Sequence, residues 1–161
     1  GHDTTRNALA GGMAALVEHP DELAKLIADP SLAKSAADEL VRWTSPVVHF
    51  FRTATTDTEV GGTPVAAGDH LCLFYPSANR DEAVFDDPFT FRIDRDPNPH
   101  LGFGVGEHFC LGASLARMEL RVFLEHLARR LETVAPAGEP ARTAASFVGG
   151  LKHLPLRWTL R

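Results

Sequence analysis

The sequence predicts a mainly α-helical fold that carries a small β-sheet. Apolar residues recur at helical spacing through most of the first 43 residues and again over 111–131, whereas residues 49–75 alternate as strands do. The chain has 161 residues, 44% of them hydrophobic and 23% charged, which is enough to bury the core of one ordinary domain.

Three helices are predicted at the start of the chain. The first covers 5–19 and ends before a proline. The second is a short helix over 21–29, with Asp21 as its cap. The third covers 32–43 and ends before a Ser-Pro pair.

Short strands and turns follow. Segments 49–60, 62–68 and 69–75 alternate apolar and polar residues between glycines, and we expect them to form one small twisted sheet. A turn or short helix is expected at 77–82. The Pro-rich stretch 86–100 is too irregular for either element, so we expect a packed meander.

The last third of the chain begins with a strong helical pattern over 111–131. A linker-like stretch is predicted over 132–145. A terminal hairpin is predicted over 146–160, turning at Gly149 and Gly150.

Charge and cysteine content narrow the function classes. A formal net charge of −5 without a Lys/Arg-rich tract argues against nucleic acid as a partner. Cys72 and Cys110 form neither a CxxC motif nor a zinc-type quartet, so a reducing, cytoplasmic setting is expected. No apolar run approaches the length of a membrane span.

The run FGVGEHFCLG presents one cysteine, Cys110, on a glycine-shaped loop that opens onto the long helix. The free amides and dipole of a helix N-terminus stabilise a thiolate. Gly104 and Gly106 allow positive φ, Gly112 leaves room beside the sulfur, and Phe103 offers a flat face. An isolated cysteine near a helix start is otherwise a small core residue. The loop suits a large planar cofactor.

The spacing Phe-Gly-x-Gly-x-His-x-Cys-x-Gly resembles the haem-binding signature of the cytochrome P450 monooxygenases. The resemblance implies haem b as the cofactor, with the Cys110 thiolate as the axial iron ligand. It covers essentially the whole chain but only the C-terminal portion of that fold, from the end of the distal helix through the Glu-x-x-Arg helix, sheet, meander, cysteine loop and proximal helix to the terminal hairpin. We therefore expect 1–161 to be a C-terminal fragment of one haem-binding monooxygenase domain whose N-terminal part is missing.

A buried charge network is the second element of the resemblance. Glu39 and Arg42 lie three residues apart and share a helix face, as in the family's Glu-x-x-Arg. Arg95, at the end of the meander's Phe-x-x-x-Arg, supplies the third member, and His100 is expected to join. The alternative is a solvated surface ion pair of little value.

Two basic residues resemble the family's haem-propionate ligands. Arg52 lies in the first strand and His108 in the cysteine loop, and charge-assisted hydrogen bonds explain why such residues are needed there. The alternative is an exposed arginine and an exposed histidine.

The opening GHDTT resembles the oxygen-activating groove of the family's distal helix, with Asp3 and Thr4 as the acid and the alcohol. Heterolytic cleavage of dioxygen requires two protons, which a carboxylate and a hydroxyl can relay. The same pair is otherwise a helix-start signature.

The apolar segments 46–51 and 146–155 occupy places where the family contacts substrate. Together with TTRNA near the start and FYPSANRDE, they resemble segments of actinobacterial enzymes that oxidise the branched tails of sterols and related terpenoid lipids. The expected pocket residues are Val47, Val48, His49, Phe50, Phe147 and Val148.

The resemblance implies insertion of one oxygen atom of O2 into a C–H bond of an apolar substrate, with two electrons from a ferredoxin-type partner that docks by Arg117 and Arg121. Those arginines are otherwise an ordinary solvated face. Two other functions stay open: a haem-thiolate peroxygenase, and a non-catalytic remnant with a structural or interaction role. We expect the isolated fragment to be inactive.

Overall fold

Three helices open the chain in the computed structural model, which describes residues 2–161: α1 (His2–Glu18), α2 (Pro20–Ala28) and α3 (Ala33–Thr44). All three were predicted, with ends that differ by up to three residues. Gly1, the first residue of the GHDTT motif, lies outside the described residues. The prediction that Asp21 caps α2 is wrong, because Pro20 begins the helix and Asp21 lies in its first turn.

Two separate strand pairs replace the single sheet that the sequence predicted. Strand β1 (His49–Thr53) pairs antiparallel with β4 (His70–Phe74), and between them β2 (Thr58–Val60) pairs with β3 (Thr63–Val65). The β2–β3 turn consists of two glycines at φ 56° and 80°.

Side-chain carboxylates interrupt the ladder between the two strand pairs. Asp57 accepts the backbone N–H of Ala67, and Asp69 accepts that of Ala66, at 2.8 and 2.9 Å. These N–H groups are therefore not available to extend a sheet.

A short helix, α4 (Tyr75–Ala78), leads into the meander. The meander runs through turns without a named helix or strand, as predicted, and ends in a loop that contains a single 3-10 turn at Gly106–His108. The long helix α5 (Ala113–Arg130) begins three residues after Cys110, so the predicted order of loop and helix is confirmed.

Four more strands complete the chain: β5 (Leu131–Pro136), β6 (Ala141–Arg142), β7 (Leu151–His153) and β8 (Leu156–Leu160). Strand β5 pairs with β8, and β6 with β7. Two predictions are therefore wrong, since the segment predicted as a linker supplies β5 and β6, and no terminal hairpin turns at Gly149 and Gly150.

The segment around Gly149 pairs with the chain that follows α3. The N–H of Gly149 donates to the carbonyl of Pro46, Val48 N–H donates to Phe147 O, and Val47 forms a bridge with Val148. A backbone engaged in this way cannot also form a hairpin turn. The adjacent Gly150 lies so close to α1 that an added Cβ would lie 2.3 Å from Asn7 Cγ.

The hydrophobic core lies between helices α1, α2, α3 and α5, with α3 packed against both α1 and α5. Apolar side chains of the meander close its remaining side. Its most enclosed members include Leu16, Leu26, Leu40, Phe91, Ile93, Leu120 and Leu124. No helix within residues 2–161 combines the length and the apolar character that crossing a bilayer requires.

Candidate functional site

A cavity of about 910 Å³ lies between α1, the start of β1, the cysteine loop and the first turns of α5. Cys110 lines this cavity, together with Phe103 and Gly104 of the same loop. Apolar residues from α1 and α5, among them Leu9 and Leu115, complete its walls. The candidate site is therefore a wide, mainly apolar space with one thiol at its wall.

The loop of residues 103–112, called the haem loop below, is shaped by its own backbone. The N–H of Cys110 donates to the carbonyl of Phe103 over 2.9 Å, which closes the loop onto itself. Gly104 and Gly106 both have φ of 73°, a conformation that side chains disfavour. The expectation from the sequence is therefore confirmed for the conformation of both glycines.

Space beside the sulfur depends on a third glycine. A Cβ added to Gly112 would lie 3.9 Å from Cys110 Sγ, so a larger side chain there would cover the thiol. Helix α5 begins with the next residue, which directs the N-terminal end of that helix toward Cys110.

The two predicted propionate ligands lie at the same cavity as Cys110. Arg52 and His108 both line it, from β1 and from the haem loop respectively. Arg52 is exposed, and its Nη1 donates to the carbonyl of Phe51 at 2.9 Å. One apolar cavity is thus lined by a thiol and by two basic side chains that can donate hydrogen bonds to carboxylates.

Thr4 and Asp3 are placed differently on α1. Thr4 lines the cavity, which is required of a hydroxyl that donates a proton there. Asp3 does not line the cavity. Its side chain is 70% exposed, and its carboxylate lies 3.5 Å from His2 Nδ1 and from Arg6 Nη2. Thr4 and Asp3 therefore do not both face the cavity, because adjacent helical residues point in different directions. The catalytic role expected of the pair stays a prediction.

Only two of the six predicted substrate residues line the main cavity. Val47 and Phe50 line the cavity. Val48 instead lines a second space of about 580 Å³, formed by α1, the end of α3 and the segment around Gly149.

The other three predicted substrate residues do not line the cavity. Phe147 packs on Phe50 with ring centroids 5.3 Å apart, and His49 packs on Phe147 at 5.9 Å. Val148 is engaged in the bridge to the segment before β1. Phe147 and Val148 therefore contact the cavity-lining residues Phe50 and Val47, and His49 contacts Phe147.

Glu39 and Arg42 form a completely buried pair. Both side chains are 0% exposed, and Arg42 Nε and Nη2 each lie 2.7 Å from an oxygen of Glu39. Arg95 Nε approaches Glu39 Oε2 at 3.2 Å. Asn98, which the sequence analysis did not single out, donates from Nδ2 to the same oxygen at 3.1 Å.

The expected fourth member, His100, does not touch Glu39. Its Nε2 lies 3.1 Å from Oδ1 of the neighbouring Asp38, which lies on a different face of α3. Burial alone would raise the pKa of the Asp38 carboxyl, but hydrogen bonds from His100 and Arg117 and the charge of Arg117 outweigh burial, so the pKa lies below its ordinary value.

Arg117 also departs from its expected role as a free docking residue. Its Nε donates to Asp38 Oδ1 at 2.7 Å, and its guanidinium carbon lies 4.6 Å from the centre of the Phe103 ring. Arg121 lies one turn further along α5, with Nε 3.8 Å from Glu125 Oε1 at the surface. Both arginine side chains are partly exposed, at 41% and 48%, but Arg117 is held by a much shorter contact than Arg121.

Asp38 and Asn79 are the functional residues that the sequence reasoning missed. Asn79 is fully buried, donates to Ser45 Oγ and accepts the N–H of Leu101 just before the haem loop, at 2.9 and 2.7 Å. No local pattern marks either residue, because their partners are 22 or more positions away in sequence.

The family model described as cytochrome P450 matches residues 1–158. The chain belongs to the cytochrome P450 family. It is 50% identical over 161 residues to a methyl-branched lipid omega-hydroxylase of Mycobacterium bovis, covering 99% of this chain and 38% of that relative. It is 47% identical to a steroid C26-monooxygenase of Mycolicibacterium smegmatis, covering 99% and 40%.

Among solved P450 structures, CYP108D1 from Novosphingobium aromaticivorans matches with a TM-score of 0.93 and 49% identity. The match covers 100% of this chain and 39% of that one. The chain thus spans about two fifths of the P450 relatives that it matches.

Haem held by a cysteine thiolate is the cofactor of the P450 family. The residues present fit this group. The cavity holds a single exposed thiol, has apolar walls, and carries Arg52 and His108 at positions where they can pair with carboxylates. Gly112 leaves the sulfur uncovered on its side, since a Cβ there would lie 3.9 Å from Cys110 Sγ, at the distance of ordinary van der Waals contact.

Proposed function

We propose that the chain is the C-terminal part of a haem-thiolate monooxygenase that inserts one oxygen atom of O2 into a C–H bond of an apolar substrate. The observation that carries this proposal is Cys110, exposed at the wall of a large apolar cavity on a loop shaped by glycines. Family membership supports the reaction class.

In this proposal Cys110 would supply the thiolate that binds the haem iron. Phe103, Gly104, Gly106 and Gly112 would shape the surface that holds the haem. Haem, when bound, supplies the activation of dioxygen with two electrons. The backbone hydrogen bond from Cys110 to Phe103 keeps the loop closed behind the sulfur.

Arg52 and His108 bind the two propionates in this proposal. Each can donate charge-assisted hydrogen bonds to a carboxylate, and such bonds are about twice as strong as neutral ones. Because both residues line the same cavity as Cys110, they fix the orientation of a ligand that the thiolate alone would leave free to rotate.

Thr4 would hold a proton at its hydroxyl within the cavity and would donate it in a hydrogen bond to O2 there. We assign no such step to Asp3, whose carboxylate lies outside the cavity wall and beside His2 and Arg6. Val47 and Phe50 contact the substrate.

Replacing Thr4 with alanine in the full-length enzyme should impair oxygen insertion without impairing the binding of haem or substrate. The haem spectrum and substrate affinity should stay close to wild type, while the ratio of hydroxylated product to electrons consumed falls, on the order of a hundredfold, because a positioned proton donor is lost. Thr4→Ser retains the hydroxyl and serves as the matched control.

A Thr4→Ala enzyme with wild-type coupling and rate would contradict the role of Thr4. Turnover with peroxide in place of reductant and O2 distinguishes the reaction classes. Wild-type enzyme that works only with peroxide would overturn the monooxygenase proposal in favour of a peroxygenase.

The substrate we propose is a sterol or a branched lipid. Two of the relatives carry names of lipid and steroid hydroxylases, and the part of the cavity formed by Val47 and Phe50 is apolar. A ferredoxin in the cytoplasm is the proposed electron donor, and Arg117 and Arg121, both partly exposed on α5, are the residues proposed to contact it.

Residues 1–161 expressed alone should bind haem weakly and tend to aggregate. Four apolar side chains form an exposed stripe at helical spacing on the haem-loop end and α5, and such a stripe favours self-association. They are Leu111, Leu115, Met118 and Val122. Haem titration and size-exclusion chromatography measure both properties. Stable, monomeric and stoichiometric haem binding by 1–161 alone would contradict the fragment proposal.

A further inference from the structure

The ring of His100 lies just before the haem loop, and its side chain is only 1% exposed. The backbone N–H of Gly102 donates to Nδ1 over 3.1 Å, and Nε2 lies 3.1 Å from Asp38 Oδ1. A backbone N–H can only donate, so Nδ1 carries no proton and Nε2–H donates to Asp38. The chain's own contacts therefore select one neutral tautomer.

Asp38 connects this histidine to helix α5. The same carboxylate oxygen accepts a hydrogen bond from Arg117 Nε at 2.7 Å. The guanidinium of Arg117 in turn lies over the ring of Phe103, the first residue of the haem loop. One carboxylate thus joins α3, α5 and the entry to the haem loop.

Gly102 is connected to Cys110 by one peptide bond, to Phe103, and by one hydrogen bond, from Cys110 N–H to Phe103 O. Gly102 has no room to shift toward α3, because a Cβ there would lie 2.5 Å from Val41 Cγ1. The next residue, Phe103, accepts the N–H of Cys110 at 2.9 Å. A displacement of Gly102 therefore moves the hydrogen bond that closes the loop behind the sulfur.

We propose that His100, oriented by Asp38, is a positioning residue that fixes the haem loop and thereby the placement of Cys110 Sγ in the cavity. The inference rests on the proposed function of Cys110 as the haem ligand. Groups that orient a metal ligand from outside its first coordination shell commonly change metal affinity ten- to a hundredfold when they are lost. His100 is expected to act on haem retention and on the spectrum of the thiolate-ligated haem.

The decisive variant is His100→Phe in the haem-loaded full-length enzyme. Phenylalanine keeps a buried ring but removes both nitrogens. We expect haem affinity to fall roughly ten- to a hundredfold and the carbon-monoxide difference band of thiolate haem to weaken. His100→Asn keeps an acceptor for the N–H two residues on and should restore most of both properties. His126→Phe, at an exposed position of α5, is the matched control.

A second variant keeps the proposal testable if His100→Phe does not fold. Asp38→Ala places a strong helix former in α3 and leaves His100 and Arg117 without their shared acceptor. We expect a loss of haem affinity of about tenfold. Glu125→Ala, which removes the surface partner of Arg121, is its control and should retain wild-type haem affinity.

Wild-type haem affinity and an unchanged band in folded His100→Phe would overturn the proposal. The proposal would also be overturned if His100→Asn lost as much haem affinity as His100→Phe. Equal haem affinity in Asp38→Ala and Glu125→Ala would overturn it as well. Cys110→Ser separates this inference from the function on which it rests. A thiolate band that persists in Cys110→Ser overturns the proposed function itself, whereas its loss there beside an intact band in His100→Phe overturns only the positioning role.

Discussion

Replacing Cys110 with serine in the full-length enzyme should abolish the carbon-monoxide difference band that is typical of thiolate-ligated haem. The expected loss is complete, because Cys110 is the one cysteine among residues 2–161 that lines the cavity. A serine hydroxyl is almost identical in shape but does not supply a thiolate. Cys110→His, which offers nitrogen, should bind haem without that band.

Cys72→Ser is the matched control for this experiment. Cys72 is exposed on β4, opposite Phe51, and lies outside the cavity. Its replacement should leave the spectrum unchanged. If the band disappears in Cys72→Ser and survives in Cys110→Ser, the ligand assignment is wrong.

Replacing Arg42 with alanine should strongly destabilise the fold. The guanidinium satisfies both oxygens of Glu39 and also donates to the carbonyls of Asn79, Pro88 and Thr90. Removing one partner of a buried ion pair leaves an uncompensated charge at a cost of about 3–5 kcal/mol. A loss of this size is comparable to the whole free energy of unfolding of many domains, about 5–15 kcal/mol.

Denaturant unfolding of the full-length enzyme measures this effect, with Arg121→Ala as the matched control. Arg121 has a surface partner 3.8 Å away, so its loss should change the free energy of unfolding by about 0.5 kcal/mol or less. Similar stabilities for the two variants would show that the buried network contributes little to the fold.

Local sequence patterns were sufficient wherever the decisive contacts are local. Helices α1, α3 and α5 follow from the spacing of their apolar residues, and the conformations of Gly104 and Gly106 follow from the loop in which they lie. Glu39 and Arg42 were paired correctly for the same reason, since three residues on a helix bring two side chains together.

Contacts between distant segments account for the errors. Strand β5 was predicted as a linker because its partner β8 lies about 25 residues away and no local turn joins them. His100 was assigned to Glu39, but the adjacent residue Asp38 lies on the helix face that meets it. A one-residue difference on a helix rotates a side chain by about 100°, which a sequence motif does not resolve.

The same limit applies to the cavity wall. Val47 and Val48 are equally apolar neighbours, yet one lines the main cavity and the other lines the second space. Direction in an extended segment alternates with each residue, so composition alone could not separate them.

Arg42 and Arg95 hold the meander by its main chain. Their guanidinium groups reach carbonyl oxygens of Asp86, Asp87, Pro88 and Thr90, and no side-chain atom of 86–90 is among these acceptors. Every residue type offers the same carbonyl, so these hydrogen bonds do not depend on the side chains at the four positions. They do depend on the number of residues, because the gain or loss of one residue would carry the acceptors past two fixed, buried cations.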